Sequence, residues 1–465
     1  FCPMNPQELE ARTLAHLPFT PYPLQSALIK ELVAFIARRD PKEVFMLNGY
    51  AGSGKTSVMG ALIKALKEMR LKSVTLAPTG RAAKVAADFS GGKASTIHRR
   101  IFRPATQAPD SPYVLAPNHS RDTVFIVDEA SLITDSPNPA QSLLAQMLRH
   151  IGSAPGNCVI LVGDIAQLPP VGLSSAPAME ADRLRRLGFS PVEFTLDIPM
   201  RQGEGSGVLY NATNIRQLLF NPGSGAQARI IARGFDDIKV ISSSELADCL
   251  ADSWSRVGVD NTIIITRSNS RANRYNGAIR NLVMMAEGPL QPGDRLVISR
   301  NDYYWSHMNK MKNLLANGDM AEVKWVGKTE KMYGRFFTDV ELLLPSSGEQ
   351  IGAKLMLRSL VTEGPSIPRA EMERFYNHVL ECQEGELSEK IQAVTEDPYF
   401  NALQAKYGYC VTCHKAQGGQ WKHVYVDMSG IDPAELDETF YRWFYTAVTR
   451  TTDRLFFINP TLPVV

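Results

Sequence analysis

Two short stretches of the chain carry residues whose types and spacing suit phosphate chemistry. The first, GYAGSGKT at 49–56, fits G-x-x-x-x-G-K-[ST], follows an apolar run and precedes a helical stretch. Glycines let backbone N–H groups turn inward around phosphate oxygens, and the positive end of the following helix points at them. Lys55 is expected to bind the β- and γ-phosphates and Thr56 to ligate Mg²⁺, whereas the alternative is a chance glycine-rich turn. The predicted phosphate-loop residues are Gly49, Gly52, Ser53, Gly54, Lys55, Thr56 and Ser57.

The second stretch, FIVDEAS at 125–131, ends an apolar run with two acids. Asp128 is placed where a carboxylate can meet Mg²⁺ near the phosphate loop. Glu129 can orient and deprotonate an attacking water. The alternative is an exposed acidic pair after a strand. Together the two stretches predict nucleoside triphosphate hydrolysis.

Hydrolysis also needs positive charge as the γ-phosphate leaves, and an arginine supplied across a cleft contributes about 10³–10⁵ in rate. Arg201 in PMRQ and Arg450 in YTAVTR are the two candidates. For either residue alone, a surface salt bridge is the alternative.

A third stretch, YGYCVTCHKAQGGQ at 407–420, contains Cys410-x-x-Cys413-His414, the attachment pattern for a c-type haem. Covalent haem attachment requires export, and the first twenty residues lack the layout of a signal peptide. The six cysteines are otherwise scattered, which excludes a disulfide framework or a four-cysteine zinc site and indicates a reducing, cytoplasmic location. We therefore expect no haem, and we interpret Cys410 and Cys413 as buried thiols beside a strand.

The elements that position these residues follow a strand–helix alternation. Apolar runs ending in Gly, Pro or Asp, each followed by a helical stretch, occupy roughly residues 1–200 and predict a parallel sheet. A second set begins at 261–280 and resumes at 422–428 and 454–460, whereas about 290–405 has the turns of antiparallel strands. The 465 residues imply two or more domains, and the net charge of +2 means that any nucleic acid must bind a local patch. The sequence contains no apolar run of about 18 residues, so no membrane span is predicted.

The order of the motifs resembles superfamily 1 helicases, in particular the 5′-to-3′ branch of RecD-like and phage Dda-like enzymes. The matching stretches are LQSALI, GYAGSGKT, LAPTGRAAKV, STIH, VDEAS, VGDIAQLPPVG, MRQ, CVTCHKAQGGQ and YTAVTR. The resemblance implies an α/β fold of two RecA-like parallel-sheet domains, with a small β-hairpin insert in the first and an SH3-like β-rich insert in the second. The expected boundaries are 1–98 and 123–204 for the first domain, 99–122 for its pin-like insert, 205–289 and 406–465 for the second domain, and 290–405 for the SH3-like insert.

The resemblance also implies roles for residues that would look ordinary alone. Gln25 resembles the residue that reads the adenine edge, Gln167 the γ-phosphate sensor, and Arg201 and Arg450 the two γ-phosphate arginines. Gln420 stands where related families often carry a ribose-binding Glu. The residues implied to hold the DNA strand are Pro78, Thr79, Arg81, Thr96, His98, Thr412, His414 and Lys415.

Strand separation needs a wedge, and the Pro-rich segment 103–122 lies where the family places its pin. Tyr113 is the aromatic candidate there, and a passive surface loop is the alternative. A helical arm is expected around 368–394. The candidates for base stacking are Phe102, Tyr113, Tyr304 and Trp305, for which core packing is the alternative.

The resemblance implies an ATP-dependent DNA helicase moving 5′ to 3′ on single-stranded DNA, with ATP and Mg²⁺. Single strands and single-strand/duplex junctions are the expected partners of a monomer, together with single-strand-binding, replication or recombination proteins. Two alternatives stay open. One is a DNA-stimulated ATPase that remodels protein–DNA complexes without processive unwinding. The other is a DNA-clamping subunit, against which the complete set of catalytic residues argues.

Overall fold

The described part of the computed structural model contains two parallel sheets, one five-stranded antiparallel sheet and one two-stranded antiparallel hairpin. The structure describes residues 4–91, 94–104, 113–197, 205–221, 227–311, 315–345, 347–432 and 436–465. Within these ranges, no helix is both long and apolar enough to cross a membrane. All five cysteines of the described part are free thiols.

The first lobe is built on a six-stranded parallel sheet of order β3-β2-β6-β7-β1-β8. Its elements are α1 (Pro6–Ala15), α2 (Pro23–Arg38), β1 (Glu43–Gly49), α3 (Lys55–Glu68), β2 (Lys72–Ala77), α4 (Gly80–Phe89), β3 (Ala94–Thr96), α5 (Ile97–Ile101), β4 (Phe102–Pro104), β5 (Tyr113–Leu115), β6 (Thr123–Val127), α6 (Leu143–Gly152), β7 (Cys158–Gly163), α7 (Ala181–Arg186) and β8 (Ser190–Leu196). Strands β6 and β7 are buried along their whole length, as continuous apolar runs in a parallel sheet require. The carboxyl ends of β1, β2, β6 and β7 therefore meet at one edge.

A small hairpin interrupts this lobe between α5 and β6. Strands β4 and β5 pair antiparallel, with Phe102 opposite Leu115 and Arg103 opposite Val114. The residues that join them, 105–112, lie outside the described ranges, and so does the side chain of Tyr113. The hairpin occupies the position expected for the pin-like insert.

The second lobe and its insert follow in the chain. The lobe starts with α8 (Gly207–Phe220), β9 (Ile238–Ile241), α9 (Leu246–Val257), β10 (Thr262–Thr266) and α10 (Asn269–Ala278). The insert contains β11 (Arg295–Ile298), α11 (Tyr304–Met308), β12 (Met320–Met332), β13 (Arg335–Leu343), β14 (Gln350–Met356), α12 (Leu357–Leu360), α13 (Arg369–Glu381), α14 (Leu387–Glu396) and β15 (Ala405–Tyr407). The lobe closes with β16 (Cys410–Thr412), α15 (Cys413–Ala416), β17 (Trp421–Asp427), α16 (Glu438–Val448) and β18 (Thr451–Ile458).

The second parallel sheet has the order β16-β10-β17-β18-β9, and the insert sheet has the antiparallel order β14-β13-β12-β11-β15. The prediction of two RecA-like α/β sheets with a β-rich insert is confirmed, whereas the SH3 likeness of the insert stays a prediction. Helices α13 and α14 cover the predicted arm. They pack on the insert sheet through Phe375, Val379 and Val394, and Arg335 of β13 pairs with Glu371 over 2.7 Å.

Two residues of the first lobe are buried in a hydrophobic cluster of the second lobe. Ala166 and Leu168, which follow β7 of the first lobe, are buried in the same cluster as Val208 and Ile215 of α8 and Phe444 of α16. Burial of apolar surface is the main favourable term in folding and association, so this contact holds the lobes together. The edge where the first sheet's strands end therefore faces the second lobe.

Candidate nucleotide site and strand-binding surface

The phosphate loop joins β1 to α3 with the backbone that its glycines allow. Gly52 and Gly54 have φ angles of 75° and 86°, in the left-handed region that side chains disfavour. A Cβ at Gly49 would lie 2.5 Å from Cδ of Lys55, so glycine is required for the lysine to fold back over the loop. The amino end of α3 then points into the loop, which is the arrangement of an anion site.

Lys55 lies inside the loop and is held by neutral partners. Its Nζ donates to the carbonyl oxygens of Gly49 and Tyr50, the latter over 3.1 Å. Carbonyl oxygens do not neutralise an ammonium group, and charge-assisted bonds to phosphate oxygens are stronger. The loop is therefore prepared for an anion at the position expected for the β- and γ-phosphates.

Asp128 and Glu129 follow β6 at the same edge. Burial first, and the Glu129 carboxylate second, raise the pKa of Asp128 to about 7, whereas the positive charge of Lys55 acts in the opposite direction. Glu129 itself has a φ of 51°, a conformation that costs a non-glycine residue about 1–3 kcal/mol and is concentrated at functional sites. A divalent cation would relieve the unfavourable charge on Asp128, so the pair fits the predicted metal and base roles.

Arg450 crosses from the second lobe to this acidic pair. Its side chain is 5 % exposed, and Nη1 lies 3.8 Å from Oε1 of Glu129. Backbone and side-chain acceptors orient the guanidinium, since Nε donates to Thr446 O over 3.1 Å and Nη2 to Thr449 Oγ1 over 3.2 Å. The structure therefore brings an arginine of one lobe close to Glu129, the predicted base, of the other lobe. Arg201, the second predicted arginine, lies outside the described residues.

The remaining nucleotide residues have distinct surroundings. Gln25 is buried, donates from Nε2 to Ser53 O over 3.1 Å and accepts from Tyr22 N over 3.1 Å, so it fastens α2 to the phosphate loop. Ser53 is buried, whereas Thr56 is exposed and free to meet a cation, and Ser57 is half-buried. Adenine reading by Gln25 would require its amide to exchange these partners and stays a prediction.

Gln167 lies between the lobes, in the segment that follows β7. Its backbone oxygen accepts from Nη1 of Arg442 over 3.3 Å, while its buried Oε1 has no hydrogen-bond partner in the described part of the chain. Next to it, Leu168 accepts from Nε2 of Gln417 over 2.6 Å and donates to Thr446 Oγ1 over 2.8 Å. The segment predicted to sense the γ-phosphate is therefore bonded directly to the second lobe.

The residues predicted to hold a DNA strand cluster at three helix starts. Thr79 caps α4 by accepting from Ala82 N over 3.1 Å, and Thr96 caps α5 by accepting from Arg99 N over 3.2 Å. Pro78 is half-buried before the first of these caps, and His98 is exposed in the first turn of α5. Each cap follows a strand of the first sheet, so the two starts are neighbours at its carboxyl edge.

The third helix start belongs to the second lobe. Thr412 ends β16 and begins α15, His414 is exposed, and Lys415 is half-buried. Arg81 of the first lobe lies with its guanidinium carbon 4.3 Å from the centre of the Trp421 ring, a cation–π contact across the lobes. Both lobes therefore contribute predicted strand-binding residues to one region.

The cysteines and several aromatic residues have structural roles. Cys410 and Cys413 are each 1 % exposed, and burial raises the pKa of the Cys413 thiol to about 12, so the prediction of buried thiols is confirmed. Tyr304 donates to Glu396 O over 3.0 Å, and Trp305 donates to Asn401 O over 2.9 Å. These two rings are engaged within the insert, which favours the core alternative over base stacking.

Two family models match the chain, one in each lobe. Residues 24–185 match an AAA domain, and residues 407–458 match a UvrD-like helicase C-terminal domain. A curated relative, the ATP-dependent RecD2 DNA helicase of Deinococcus radiodurans, is 24% identical over 452 residues, which cover 94% of this chain. These matches support the predicted resemblance to superfamily 1 helicases of the RecD-like branch.

The chain spans about half the length of the Deinococcus relative, since the match covers 50% of that protein. A second relative, the uncharacterized protein R530 of Acanthamoeba polyphaga mimivirus, is 21% identical, with 93% of this chain and 99% of R530 covered. The Bacteroides Pif1 helicase in complex with ADP-AlF3 and ssDNA is 16% identical at a TM-score of 0.48, covering 94% of this chain and 92% of that one.

Apart from Arg450, sequence reasoning missed the residues of α16 that face the first lobe. Arg442, Tyr445, Thr446 and Arg450 all bond across or beside the cleft. Tyr445 and Thr446 follow Arg442 by three and four residues, which puts all three on one face of α16, and Arg450 lies just beyond the end of the helix. This spacing was the signal available in the sequence.

Proposed function

We propose that the protein is an ATP-driven DNA helicase that moves 5′ to 3′ along single-stranded DNA and separates strands at a junction. The observation that carries the proposal is the approach of Arg450, from the second lobe, to within 3.8 Å of Glu129 in the first lobe. Because this contact lies beside the phosphate loop, a nucleotide held by the loop would have catalytic groups from both lobes.

The chemistry follows from the positions of the chain's own groups. Lys55 would exchange its carbonyl partners for β- and γ-phosphate oxygens, and Glu129 would accept a proton from the attacking water. Arg450 would stabilise negative charge on the leaving γ-phosphate. Thr56 and Asp128 would hold Mg²⁺, which when bound neutralises phosphate charge; magnesium sites in such proteins use one or two protein oxygens plus the phosphates.

Coupling to a strand would follow from the same interface. Loss of the γ-phosphate removes charge that holds the lobes together, so the lobes part. Strand contacts on both lobes, at Thr79 and Arg81 and at Thr412 and Lys415, would then alternate with the state of the cleft. Because Arg81 already contacts Trp421 of the other lobe, a strand bound at Arg81 would lie at the interface between the lobes.

The test combines two assays. ATPase activity is measured with and without oligo-dT, and unwinding is measured on duplexes that carry a 5′ or a 3′ tail. We expect stimulation by single strands and unwinding of the 5′-tailed substrate. Stimulation without unwinding of either substrate would favour a remodelling ATPase, and an enzyme indifferent to single strands would refute the proposal. A cytoplasmic location stays an expectation from the scattered cysteines.

A further inference from the structure

A small cavity in the second lobe brings together two lysine side chains from different parts of the fold. Lys406 belongs to β15 of the insert sheet, and Lys415 belongs to α15 of the second lobe. Both line the cavity, together with Asn269 and Asn273 of α10 and Thr412. None of the described residues that line it carries a carboxylate.

Neither ammonium group has an anionic partner there. Lys406 is 5 % exposed, and its Nζ donates to the carbonyl oxygen of Thr362 and, over 3.4 Å, to Oδ1 of Asn273. Nζ of Lys415 is buried and has no hydrogen-bond partner among the described residues. Burying an unpaired charge is costly, and a buried charge is normally paired or neutralised.

The charges on the two lysines affect each other. Burial first, and the positive charge of Lys415 second, lower the pKa of Lys406 to about 8. Burial alone lowers the pKa of Lys415 to about 8. Asp427, the carboxylate at the end of the neighbouring strand β17, is already paired with Arg271 over 2.6 Å. The pair of lysines therefore lacks a counter-ion within the described part of the chain.

The backbone around the cavity adds to its preference for an anion. Helix α10, of ten residues, begins at Asn269 beside the cavity, so the positive end of its dipole lies there. The cavity also lies where β10 and β16 end, and parallel sheets bind ligands beyond the carboxyl ends of their strands. The two lysines thus lie beside the first turns of α10 and beside β16.

We infer that Lys406 and Lys415 form one site for a phosphodiester of the single strand, so that Lys406 is a further contact to the nucleic-acid backbone, contributed by the insert. The inference rests on the proposed strand-binding function. A phosphate offers several acceptor oxygens, enough to bond both ammonium groups at once. β15, the edge strand of the insert sheet, then helps to bind the nucleic acid as well as to cover the second lobe.

The test measures binding of labelled oligo-dT by fluorescence anisotropy over a series of salt concentrations. When the logarithm of the binding constant is plotted against the logarithm of the salt concentration, each phosphate neutralised on a single strand contributes about 0.7 to the steepness of the slope. We expect Lys406→Gln to reduce the slope by about 0.7 and to weaken binding about tenfold at low salt. Lys422→Gln, an equal charge change at an exposed site at the start of β17, should leave both values unchanged.

Further arms separate the explanations. Lys406→Arg keeps the charge and should keep the wild-type salt slope. Either of two results would overturn the assignment: a folded Lys406→Gln variant with the wild-type slope, or a folded Lys406→Arg variant with a reduced slope. Methylphosphonate oligonucleotides should abolish the difference between wild type and Lys406→Gln. Inorganic phosphate at constant ionic strength should not compete, and Lys406-dependent competition would indicate a free-phosphate site instead. A wild-type protein that binds no oligo-dT would refute the proposed function itself.

Discussion

The hydroxyl group of Tyr445 in the second lobe donates to Oδ2 of Asp164 in the first lobe over 2.7 Å. The same hydroxyl accepts from the backbone N–H of Ala51, in the phosphate loop, over 2.8 Å. Both Tyr445 and Asp164 are at most 2 % exposed. One side chain of α16 therefore connects the phosphate loop with the segment after β7. Arg450, which approaches Glu129, follows directly after the end of this helix.

Removing this hydroxyl should loosen the phosphate loop. Tyr445→Phe leaves a buried carboxylate oxygen and a loop amide without their partner, at a cost of about 1–3 kcal/mol. We expect hydrogen exchange of the amides at 49–54 to accelerate by about 5- to 150-fold, measured by mass spectrometry. Tyr210→Phe, at a side chain that is 55 % exposed, is the matched control. Unchanged exchange in Tyr445→Phe would show that the bonds do not hold the loop.

Glu129→Gln tests the proposed base. The amide keeps the size of the carboxylate but cannot accept the proton, so ATP turnover should fall by about 10²–10⁴ while ATP still binds. Turnover is measured with oligo-dT present, and ATP binding with a fluorescent nucleotide. Glu193→Gln changes an exposed acid on β8 in the same way and should have no effect. A Glu129→Gln variant with full activity would place the base elsewhere.

The hairpin of β4 and β5 tests how strands are separated. If it is a wedge, Tyr113→Ala, or replacement of 105–112 by a short Gly-Ser linker, should slow unwinding of a tailed duplex. ATPase activity on oligo-dT should be kept, because the hairpin lies outside the nucleotide cleft. Equal unwinding by the wild type and the linker variant would identify the segment as a passive loop.

Strand affinity should depend on pH through the lysine pair. The pKa values of Lys406 and Lys415 are both about 8, and a bound phosphate favours the protonated form of each lysine. Their contribution to affinity is therefore present below about pH 8 and is lost as the pH rises through that value. Affinity for oligo-dT should fall between about pH 7 and about pH 9, and less so in Lys406→Gln. A pH profile that this substitution does not change would contradict the argument.

The sequence predicted the parts of the site that depend on local patterns. The loop at 49–56 and the acids at 128 and 129 stand directly after apolar strands, so their edge of the sheet could be predicted before the structure. Contacts between distant segments of the chain could not be predicted in this way. Lys406 meets Lys415 only because β15 returns to pair with β11, more than a hundred residues earlier in the chain.

The interlobe contacts were equally hidden. Tyr445 and Asp164 are separated by 281 residues, and nothing in either local pattern indicates the other as a partner. Which faces of two lobes meet depends on the shape of both surfaces, for which a single sequence gives no spacing rule. The resemblance supplied Arg450, whereas the neighbours that orient it required coordinates.

The most direct test of the shared nucleotide site is turnover by Arg450→Ala. Arg454→Ala, at an exposed arginine on β18, is the control. We predict that Arg450→Ala binds ATP with nearly the wild-type Kd while its kcat with oligo-dT falls by about 10³-fold or more, because charge on the leaving phosphate is no longer stabilised from the second lobe. A wild-type kcat in this variant would contradict the account.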